Sequence, residues 1–271
     1  MTAPDPNVLF HGEIPANYDR YLVPVLFAPY ATDLGKRLKD EKIPSLLKIA
    51  CGTGVVTREL RNLLPPTTEI VGTDLNADMF EFAKPKFKDG ENVRWQKADA
   101  SSLPFADASF DAVVCQFGVM FVPEKPAAMR EAYRVLKPGG IFLFNVWDSM
   151  DQNPFGLIAH TTIASFFDHD PPRFYEFPFN LHDSKFVDQL LRDAGFGQIE
   201  SFCVKKTCRS KSAQDFATGL VLGNPVGAEL EQRKVDRDIV IAKIKGRLAE
   251  RFGSAPMETT MQALIWQARK R

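Results

Sequence analysis

The fold of this chain is decided by the stretch Leu46-Leu47-Lys48-Ile49-Ala50-Cys51-Gly52-Thr53-Gly54. A short apolar run ends there in a glycine turn, and residues 55 to 60 then resume with the spacing of an amphipathic helix. A buried strand that leads directly into a helix is typical of a parallel sheet covered by helices. The stretch therefore predicts an α/β fold organised around this turn.

The glycine turn also has the features of a ligand cradle. Gly52 and Gly54 carry no side chain where the backbone must turn tightly, so a ligand can approach the main chain closely. The helix that follows directs unpaired N–H groups and a partial positive charge at whatever fills the turn. For the motif alone, a purely structural turn remains the alternative.

An acid at the end of the next predicted strand favours the ligand hypothesis. Asp74 follows the strand at residues 69 to 73, where a carboxylate can accept hydrogen bonds from a ribose diol. The dinucleotide fingerprint would require a third glycine, but that position is Thr57, which disfavours a nicotinamide dehydrogenase. A pocket for one nucleoside with a small anionic group remains, and S-adenosylmethionine fits this description.

Further candidates follow the later predicted strands and helices. Met79 lies in a helix after Asp74 and either contacts an adenine ring or fills the core. Asp99 follows the strand at residues 93 to 97 and either accepts from the adenine amino group or is a solvated loop residue. Gln116 and Phe117 follow the strand at residues 110 to 115, where they are predicted to border the reacting centre.

Composition excludes several other classes of function. The 271 residues are 45% apolar, and 34 basic residues balance 34 acidic ones at a pI near 6.9, so no global field attracts nucleic acid or an anionic membrane. Residues 1 to 7 show no secretory signal, and no apolar run has membrane-spanning length. Cys51 and Cys115 lie in predicted buried segments, so we expect a cytoplasmic protein without a disulfide framework.

The order and spacing of these motifs resemble the class I S-adenosylmethionine-dependent methyltransferases, in particular the small-molecule branch that includes the ubiquinone and menaquinone biosynthesis type. The resemblance spans about residues 45 to 147. It is carried by Lys48-Ile49-Ala50-Cys51-Gly52-Thr53-Gly54, Asp74, Ala98-Asp99-Ala100, Leu103-Pro104-Phe105, Ser109-Phe110-Asp111 and Arg134-Val135-Leu136-Lys137-Pro138-Gly139-Gly140. The flank Tyr18-Asp19-Arg20-Tyr21 is similar to family members whose N-terminal aromatic residues cover the cofactor.

The resemblance implies a Rossmann-like, doubly wound sheet of seven strands, six parallel and one antiparallel, with helical lid insertions. It also implies that the turn at Gly52 and Gly54 holds the methionyl moiety of S-adenosylmethionine, Asp74 the ribose, and Asp99 with Ala100 the adenine. The resulting candidate cofactor-binding set is Tyr18, Ala50, Gly52, Thr53, Gly54, Asp74, Leu75, Met79, Asp99, Ala100, Gln116 and Phe117.

Two positions depart from the family pattern. The family often has an acid where Lys48 stands, and that acid helps to hold the ammonium group of the cofactor. Ala50 replaces the first glycine of the family signature, which is a mild change. With Lys48 in place, recognition of the ammonium falls to other groups, such as the backbone carbonyls of the glycine turn.

The rest of the chain is predicted to supply a flap and lids. We expect an N-terminal helical flap over residues 1–40 and a methyltransferase domain over residues 41–271, with insertions at about 148–182 and 212–252. Tyr18 either closes the cofactor pocket or belongs to a helix packed on the sheet edge, and Pro24 and Pro29 are expected to break this helical segment. The many aromatic residues of the first insertion either line the acceptor pocket or bury the insertion.

The predicted function is transfer of a methyl group to O, N or C of a small, hydrophobic or aromatic acceptor. His160 and His182 are weak candidates for a general base, and a mechanism that relies on proximity alone needs none. One alternative is a protein that binds S-adenosylmethionine without catalysis. Another is arsenite methylation, which rests only on the nearby pair Cys203 and Cys208. The sequence predicts no oligomeric state and no metal.

Overall fold

The computed structural model describes residues 9 to 271, which form seven strands and the helices that connect them. Residues 1 to 8 lie outside this range, and with them the start of the predicted flap and the expected absence of a secretory signal. The strands are β1 (Ser45–Ile49), β2 (Glu69–Asp74), β3 (Val93–Lys97), β4 (Phe110–Gln116), β5 (Leu136–Trp147), β6 (Gln198–Ser210) and β7 (Met257–Arg269).

The helices are α1 (Ile14–Asn17), α2 (Ala28–Leu38), α3 (Val55–Leu63), α4 (Ala77–Ala83), α5 (Lys125–Val135), α6 (Pro154–Ala164), α7 (Ser184–Asp193), α8 (Ala213–Leu222), α9 (Val226–Gln232) and α10 (Arg237–Phe252). A π-helix at Tyr18–Phe27 joins α1 to α2, and short 3-10 helices lie at Lys84–Lys86, Val119–Phe121 and Phe174–Glu176. Within residues 9 to 271, no helix combines the length and the apolar character needed to cross a bilayer.

The chain divides into two units. The sheet unit comprises Tyr30–Trp147, Leu181–Val204 and Ala263–Arg271. The helical unit comprises residues 9 to 29 together with Asp148–Asn180 and Lys205–Gln262. The boundaries of the predicted flap and insertions stay a prediction, because they concern function as well as structure.

The sheet has the strand order β3-β2-β1-β4-β5-β7-β6. Strand β1 pairs in parallel with both β2 and β4, β3 pairs in parallel with β2, and β5 pairs in parallel with β4. Strand β7 runs antiparallel to β5, with Ile141 opposite Arg269 and Trp147 opposite Ala263. The predicted seven-stranded, mostly parallel sheet is therefore confirmed.

The strand order reverses between β1 and β4, and this reversal positions the site. The chain builds β2 and β3 on one side of β1 and then returns to its other side to form β4. In open α/β sheets a crevice forms outside the carboxyl ends of the strands at such a switch point. The glycine turn after β1 and the residues after β4 therefore flank one crevice.

The apolar residues of β1 are buried, as the sequence predicts. Leu46 and Leu47 are fully buried, and Leu46 packs in one cluster with Leu34 of α2 and with Val56 and Leu60 of α3. Burying an aliphatic side chain of this size contributes about 1.5–3 kcal/mol relative to leaving it exposed. The packing therefore fixes where β1 ends and where α3 begins.

Residues 14 to 38 are helical without interruption, and the expected break at Pro24 and Pro29 is wrong. Pro24 lies inside the π-helix, where the N–H of Ala28 reaches back to the carbonyl of Val23. The wider turn leaves room for a proline ring, which would clash with the carbonyl of residue i−4 in an α-helix. Pro29 lies in the first turn of α2.

Aromatic residues of the first insertion build the interior of the helical unit. Phe155 and Tyr175 are 2% and 4% exposed, and the ring of Phe155 meets that of Phe216 edge-on at 5.6 Å. The Tyr175 hydroxyl donates a hydrogen bond to the carbonyl of Leu220 at 2.7 Å. For these rings the structure supports the interpretation that they bury the insertion.

A buried asparagine joins β5's continuation to β7 within the helical unit. Asn153 is fully buried, and its side-chain amide donates to the carbonyls of Asp148, Ser149 and Gln262 and accepts from the N–H of Gln262, all at 2.9–3.1 Å.

We predict that Asn153→Ala lowers the free energy of unfolding by about 2–4 kcal/mol, because several buried backbone groups lose their partner. Urea unfolding followed by circular dichroism measures this loss. The exposed neighbour Gln152→Ala should change it by less than about 0.5 kcal/mol, and equal losses for both variants would contradict the prediction.

Candidate functional site

The turn after β1 has an unusual backbone. Ala50, Gly52 and Gly54 all have positive φ, at 48°, 56° and 90°. The N–H of Cys51 donates to the carbonyl of Thr73 on β2 at 2.8 Å, which holds the start of the turn against the neighbouring strand. Glycine adopts this left-handed backbone without strain, which explains the glycines at 52 and 54.

Asp74 at the end of β2 is bonded directly to this turn. One carboxylate oxygen accepts from the N–H of Gly52 at 2.9 Å, and the other accepts from the N–H of Asn76 at 3.0 Å. Burial raises the pKa of Asp74, although the donors from Asn76 and Gly52 and the charge of Lys48 oppose that rise. A carboxylate has about four acceptor sites, so Asp74 can still accept a hydrogen bond from a ligand.

Two threonine hydroxyls near the turn are buried without a partner. Thr53 is 1% exposed and Thr57 fully buried, and neither side-chain oxygen has a hydrogen-bond partner among residues 9 to 271. A buried polar group left unsatisfied costs about 1–3 kcal/mol. A polar ligand at the turn can supply the missing partners, so these residues fit the methionyl carboxylate of S-adenosylmethionine.

The apolar candidates beside Asp74 have different surroundings. Leu75 is 41% exposed, so its side chain can contact a planar ring such as adenine. Met79 is 5% exposed, and its terminal methyl lies 3.7 Å from the position that a Cβ on Gly52 would take. Met79 therefore packs against the glycine turn, and its contact with adenine stays a prediction.

Asp99 lies in an exposed loop after β3, next to the half-buried Ala100. One carboxylate oxygen accepts from both the N–H and the hydroxyl of Ser101, at 2.8 and 2.7 Å. These bonds fix the orientation of the side chain. Both interpretations of Asp99, as an adenine acceptor and as a solvated loop residue, agree with this geometry.

Aromatic rings line the end of β4 and β5. Phe117 has a left-handed backbone at φ 49°, and its ring stacks on Trp147 at a centroid distance of 4.0 Å. Tyr30 meets both rings edge-on at 5.4 and 5.6 Å. The N–H of Phe117 is directed to the backbone carbonyl and the side-chain oxygen of Asn145, both at 3.1 Å. Beside them, Gln116 is 7% exposed.

Sequence reasoning missed Tyr30, Trp147 and Asn145 as members of this cluster. Asn145 is the one polar residue in the apolar run from 141 to 146, and this interruption of the pattern is the signal that could have revealed it. Its side-chain nitrogen is buried and has no hydrogen-bond partner in the described part of the chain. No comparable signal marks Tyr30, which reaches the cluster from a distant helix.

Lys48 is buried next to the turn and bonds to one of its carbonyls. It is 1% exposed, and its ammonium donates to the carbonyls of Ile49 and Ala50 at 2.6 and 2.8 Å. Burial lowers the pKa of Lys48, opposed by the neighbouring Cys115, Cys51 and Asp74. One carbonyl of the turn, that of Ala50, is therefore already bonded to this lysine.

Other candidates lie outside this geometry and stay predictions. Tyr18 belongs to the helical unit, where its ring stacks on Phe27 at 4.8 Å and meets Phe10 edge-on at 6.2 Å. His160 is also in the helical unit, on α6, and its Nδ1 is buried without a partner among residues 9 to 271. His182 is exposed.

The cysteines do not favour arsenite methylation. All four are free thiols, and Cys203 is exposed whereas Cys208 is fully buried. Burial raises the pKa of Cys208 to about 12, so it stays a thiol rather than a ligating thiolate. No group of three or more histidine, cysteine and acidic residues suited to a metal ion occurs in the described residues.

Part of the chain, including most of the site, is similar to a known domain family. Residues 47–144 match the family described as a methyltransferase domain, a range that contains the glycine turn, Asp74, Asp99 and Phe117. The resemblance to methyltransferases seen in the sequence is confirmed by this match.

Curated proteins of similar sequence include a named methyltransferase. The demethylmenaquinone methyltransferase of Staphylococcus aureus strain JH9 is 38% identical over 131 residues, which cover 47% of this chain and 54% of that protein. The chain thus spans about half the length of the curated relatives it matches.

Solved structures support the fold. The YcgJ protein from Bacillus subtilis has a TM-score of 0.59 and 20% identity, covering 90% of this chain and 99% of its own. Haemonchus contortus phosphoethanolamine N-methyltransferase 2, solved in complex with S-adenosyl-L-methionine, has a TM-score of 0.59 and 18% identity, covering 94% and 56%. At these identities the likeness concerns the fold alone.

Gly118 lies where the ends of β1 and β4 meet. A Cβ added to it would lie 2.4 Å from the Cβ of Ala50 and 2.8 Å from the sulfur of Cys115. We predict that Gly118→Ala destabilises the protein by about 1–3 kcal/mol, because the glycine turn must shift to relieve the clash.

Thermal unfolding checks this, with Gly246→Ala as the matched control. A Cβ at Gly246 would have no neighbour within 4 Å, and Gly246 lies inside α10. The control should therefore be neutral or stabilise by up to about 1 kcal/mol, since alanine favours the helix. Equal melting temperatures for the two variants would show that the ends of β1 and β4 are not in close contact.

Proposed function

We propose that this protein is an S-adenosylmethionine-dependent methyltransferase that acts on a small, hydrophobic or aromatic acceptor. The observation that carries the proposal is the hydrogen bond from the N–H of Gly52 to the carboxylate of Asp74. It joins a left-handed glycine turn to a buried acid at the carboxyl ends of neighbouring parallel strands. The family match over residues 47–144 supports the same class.

In this proposal, different residues at and near the turn bind different parts of the cofactor. The start of α3 and the hydroxyls of Thr53 and Thr57 attract the methionyl carboxylate. The remaining acceptor capacity of Asp74 binds the ribose hydroxyls. Leu75 offers an exposed apolar surface to the adenine ring, and Asp99 accepts from the adenine amino group.

The acceptor is proposed to lie beside the aromatic cluster of Tyr30, Phe117 and Trp147. Stacked and edge-on rings with 4.0–5.6 Å between centroids form a rigid apolar wall. Such a wall favours flat or apolar compounds over strongly hydrated ones. A related protein is named for a quinone acceptor, demethylmenaquinone, which supports the hydrophobic and aromatic class.

The protein's part in catalysis is to position the reactants and to exclude water. When bound, the sulfonium of the cofactor supplies an electrophilic methyl group. The left-handed turn and Asp74 orient it, and the aromatic wall keeps the acceptor desolvated, which strengthens the effect of proximity. This mechanism needs no dedicated base. If one acts, His160 and His182 remain the candidates.

The charge balance and the cysteines support a proposal for the cellular compartment and the binding partner of the protein. Four free thiols agree with a reducing cytoplasm. The balance of 34 basic and 34 acidic residues gives no field that would select nucleic acid as a partner. The partner is therefore proposed to be the small acceptor itself.

Titration calorimetry with S-adenosylmethionine and S-adenosylhomocysteine tests the assigned cofactor site. We expect both to bind, and Asp74→Asn to weaken both by at least about 10-fold, since a charge-assisted hydrogen bond contributes about 1.5–3 kcal/mol. Asp78→Asn, an exposed acid four residues further on, is the control and should bind as the unchanged protein does. A folded protein that binds neither compound would refute the assignment.

Transfer of a labelled methyl group to a panel of quinols, phenols and aromatic amines tests the activity. We expect label in an aromatic acceptor and its loss with Asp74→Asn. Tight binding of the cofactor with no transfer across the panel would instead favour the non-catalytic alternative.

A further inference from the structure

A fully buried asparagine interrupts the apolar centre of the sheet. Asn145 lies on β5, which is paired on both sides, and it stands opposite Gln116 of β4 and Ile265 of β7. Its side chain has no exposed surface. A polar side chain in such a place costs free energy unless its hydrogen bonds are made. The partners of this amide therefore indicate what Asn145 does in the protein.

The amide oxygen of Asn145 accepts a hydrogen bond from the residue that follows β4. The N–H of Phe117 lies 3.1 Å from this oxygen and 3.1 Å from the backbone carbonyl of Asn145. The backbone of Phe117 is left-handed, with φ at 49°, which is unfavourable for a residue that carries a Cβ. The side chain of Asn145 thus gives the N–H a second acceptor and helps to hold Phe117 in this conformation.

The strand that carries Asn145 also contacts the ring of Phe117. Trp147 lies two residues beyond Asn145 on β5, and side chains two residues apart on a strand share one face of the sheet. The rings of Phe117 and Trp147 stack at a centroid distance of 4.0 Å, with 16° between their planes. Phe117 is therefore held by β5 at two points, its backbone at Asn145 and its ring at Trp147.

The amide nitrogen of Asn145 forms no hydrogen bond that a substitution would remove. It is buried and has no partner among residues 9 to 271. The N–H of Phe117 needs an oxygen as its acceptor, and this requirement distinguishes the oxygen of the amide from the nitrogen. An apolar residue of similar size at position 145 therefore removes one side-chain hydrogen bond, the one to Phe117, whose N–H keeps the backbone carbonyl.

We propose that Asn145 is a positioning residue for the methyl acceptor and acts through Phe117. It holds Phe117 in the left-handed conformation in which its ring lies flat on Trp147, and a planar acceptor binds against this stacked pair. The inference rests on the proposed function, because it requires an aromatic acceptor beside these rings. Contact between aromatic rings depends on their mutual orientation, so a change in the Phe117 backbone weakens the binding of a planar compound.

A double-mutant cycle with Asn145→Leu and Phe117→Ala tests the proposal. Calorimetry measures the dissociation constant of S-adenosylhomocysteine, and that of 1-naphthol, a planar phenol, with the cofactor site saturated by S-adenosylhomocysteine. We expect Asn145→Leu to weaken 1-naphthol by about 3- to 10-fold and S-adenosylhomocysteine by less than about 2-fold. In the double variant Asn145→Leu should add nothing to the loss that Phe117→Ala causes, because Asn145 acts through that residue.

Thr68→Val is the matched control. Thr68 is buried just before β2, at the amino ends of the parallel strands, and its hydroxyl donates to the carbonyl of Ile43 at 2.8 Å. The control also removes one buried hydrogen bond, but it should change both dissociation constants by less than about 2-fold. Circular dichroism and thermal unfolding confirm that each variant is folded. Asn145→Val, which carries a side chain favoured in strands, takes the place of Asn145→Leu if that variant does not fold.

The outcomes separate this inference from the function on which it rests. Unchanged binding of 1-naphthol in the folded Asn145 variant would overturn the role of Asn145. A further loss in the double variant would overturn it as well, because Asn145 would then act independently of Phe117. If the unchanged protein binds S-adenosylhomocysteine but not 1-naphthol, the inference fails and the cofactor site stands. Failure to bind S-adenosylhomocysteine and S-adenosylmethionine would overturn the proposed function itself.

Discussion

The structure of the site depends on one hydrogen bond, from the N–H of Gly52 to the buried carboxylate of Asp74. It joins the loop after β1 to the end of β2, and the parallel pairing of Leu47 with Val71 brings those two strand ends side by side. Without it the left-handed turn would lose its contact with the acid. A hydrogen bond to a charged group contributes about 1.5–3 kcal/mol, enough to favour one conformation of a short glycine loop.

Two ionisable side chains, those of Lys48 and Asp74, are buried near this hydrogen bond. Lys48 and Asp74 are both buried near the same turn, and each is hydrogen-bonded to backbone groups. Taking a pair of charges out of water is costly unless such bonds compensate it. Buried ionisable groups are seldom needed for the stability of a sheet, so Lys48 and Asp74 at this turn support a role in ligand binding.

Much of the sheet and of the turn could be predicted from the sequence because their signals are local. The apolar run before Gly52 and the position of Asp74 after a second apolar run fix two strand ends, and parallel pairing then brings them together. The aromatic cluster could not be predicted in this way. Tyr30 and Trp147 meet Phe117 only through long-range packing. The Lys48 ammonium donates to the carbonyls of the next two residues, Ile49 and Ala50, which no periodicity indicates. The predicted helix break at Pro24 is wrong because the π-helix accommodates the proline ring.

The most direct test of the account is a crystal structure of the protein with S-adenosylhomocysteine bound. The account predicts that the ribose hydroxyls lie within hydrogen-bond distance of Asp74 and that the methionyl carboxylate lies at the start of α3. The bond between Gly52 and Asp74 should persist in the complex. A ligand found elsewhere on the chain, or a turn whose Gly52 has separated from Asp74, would contradict it.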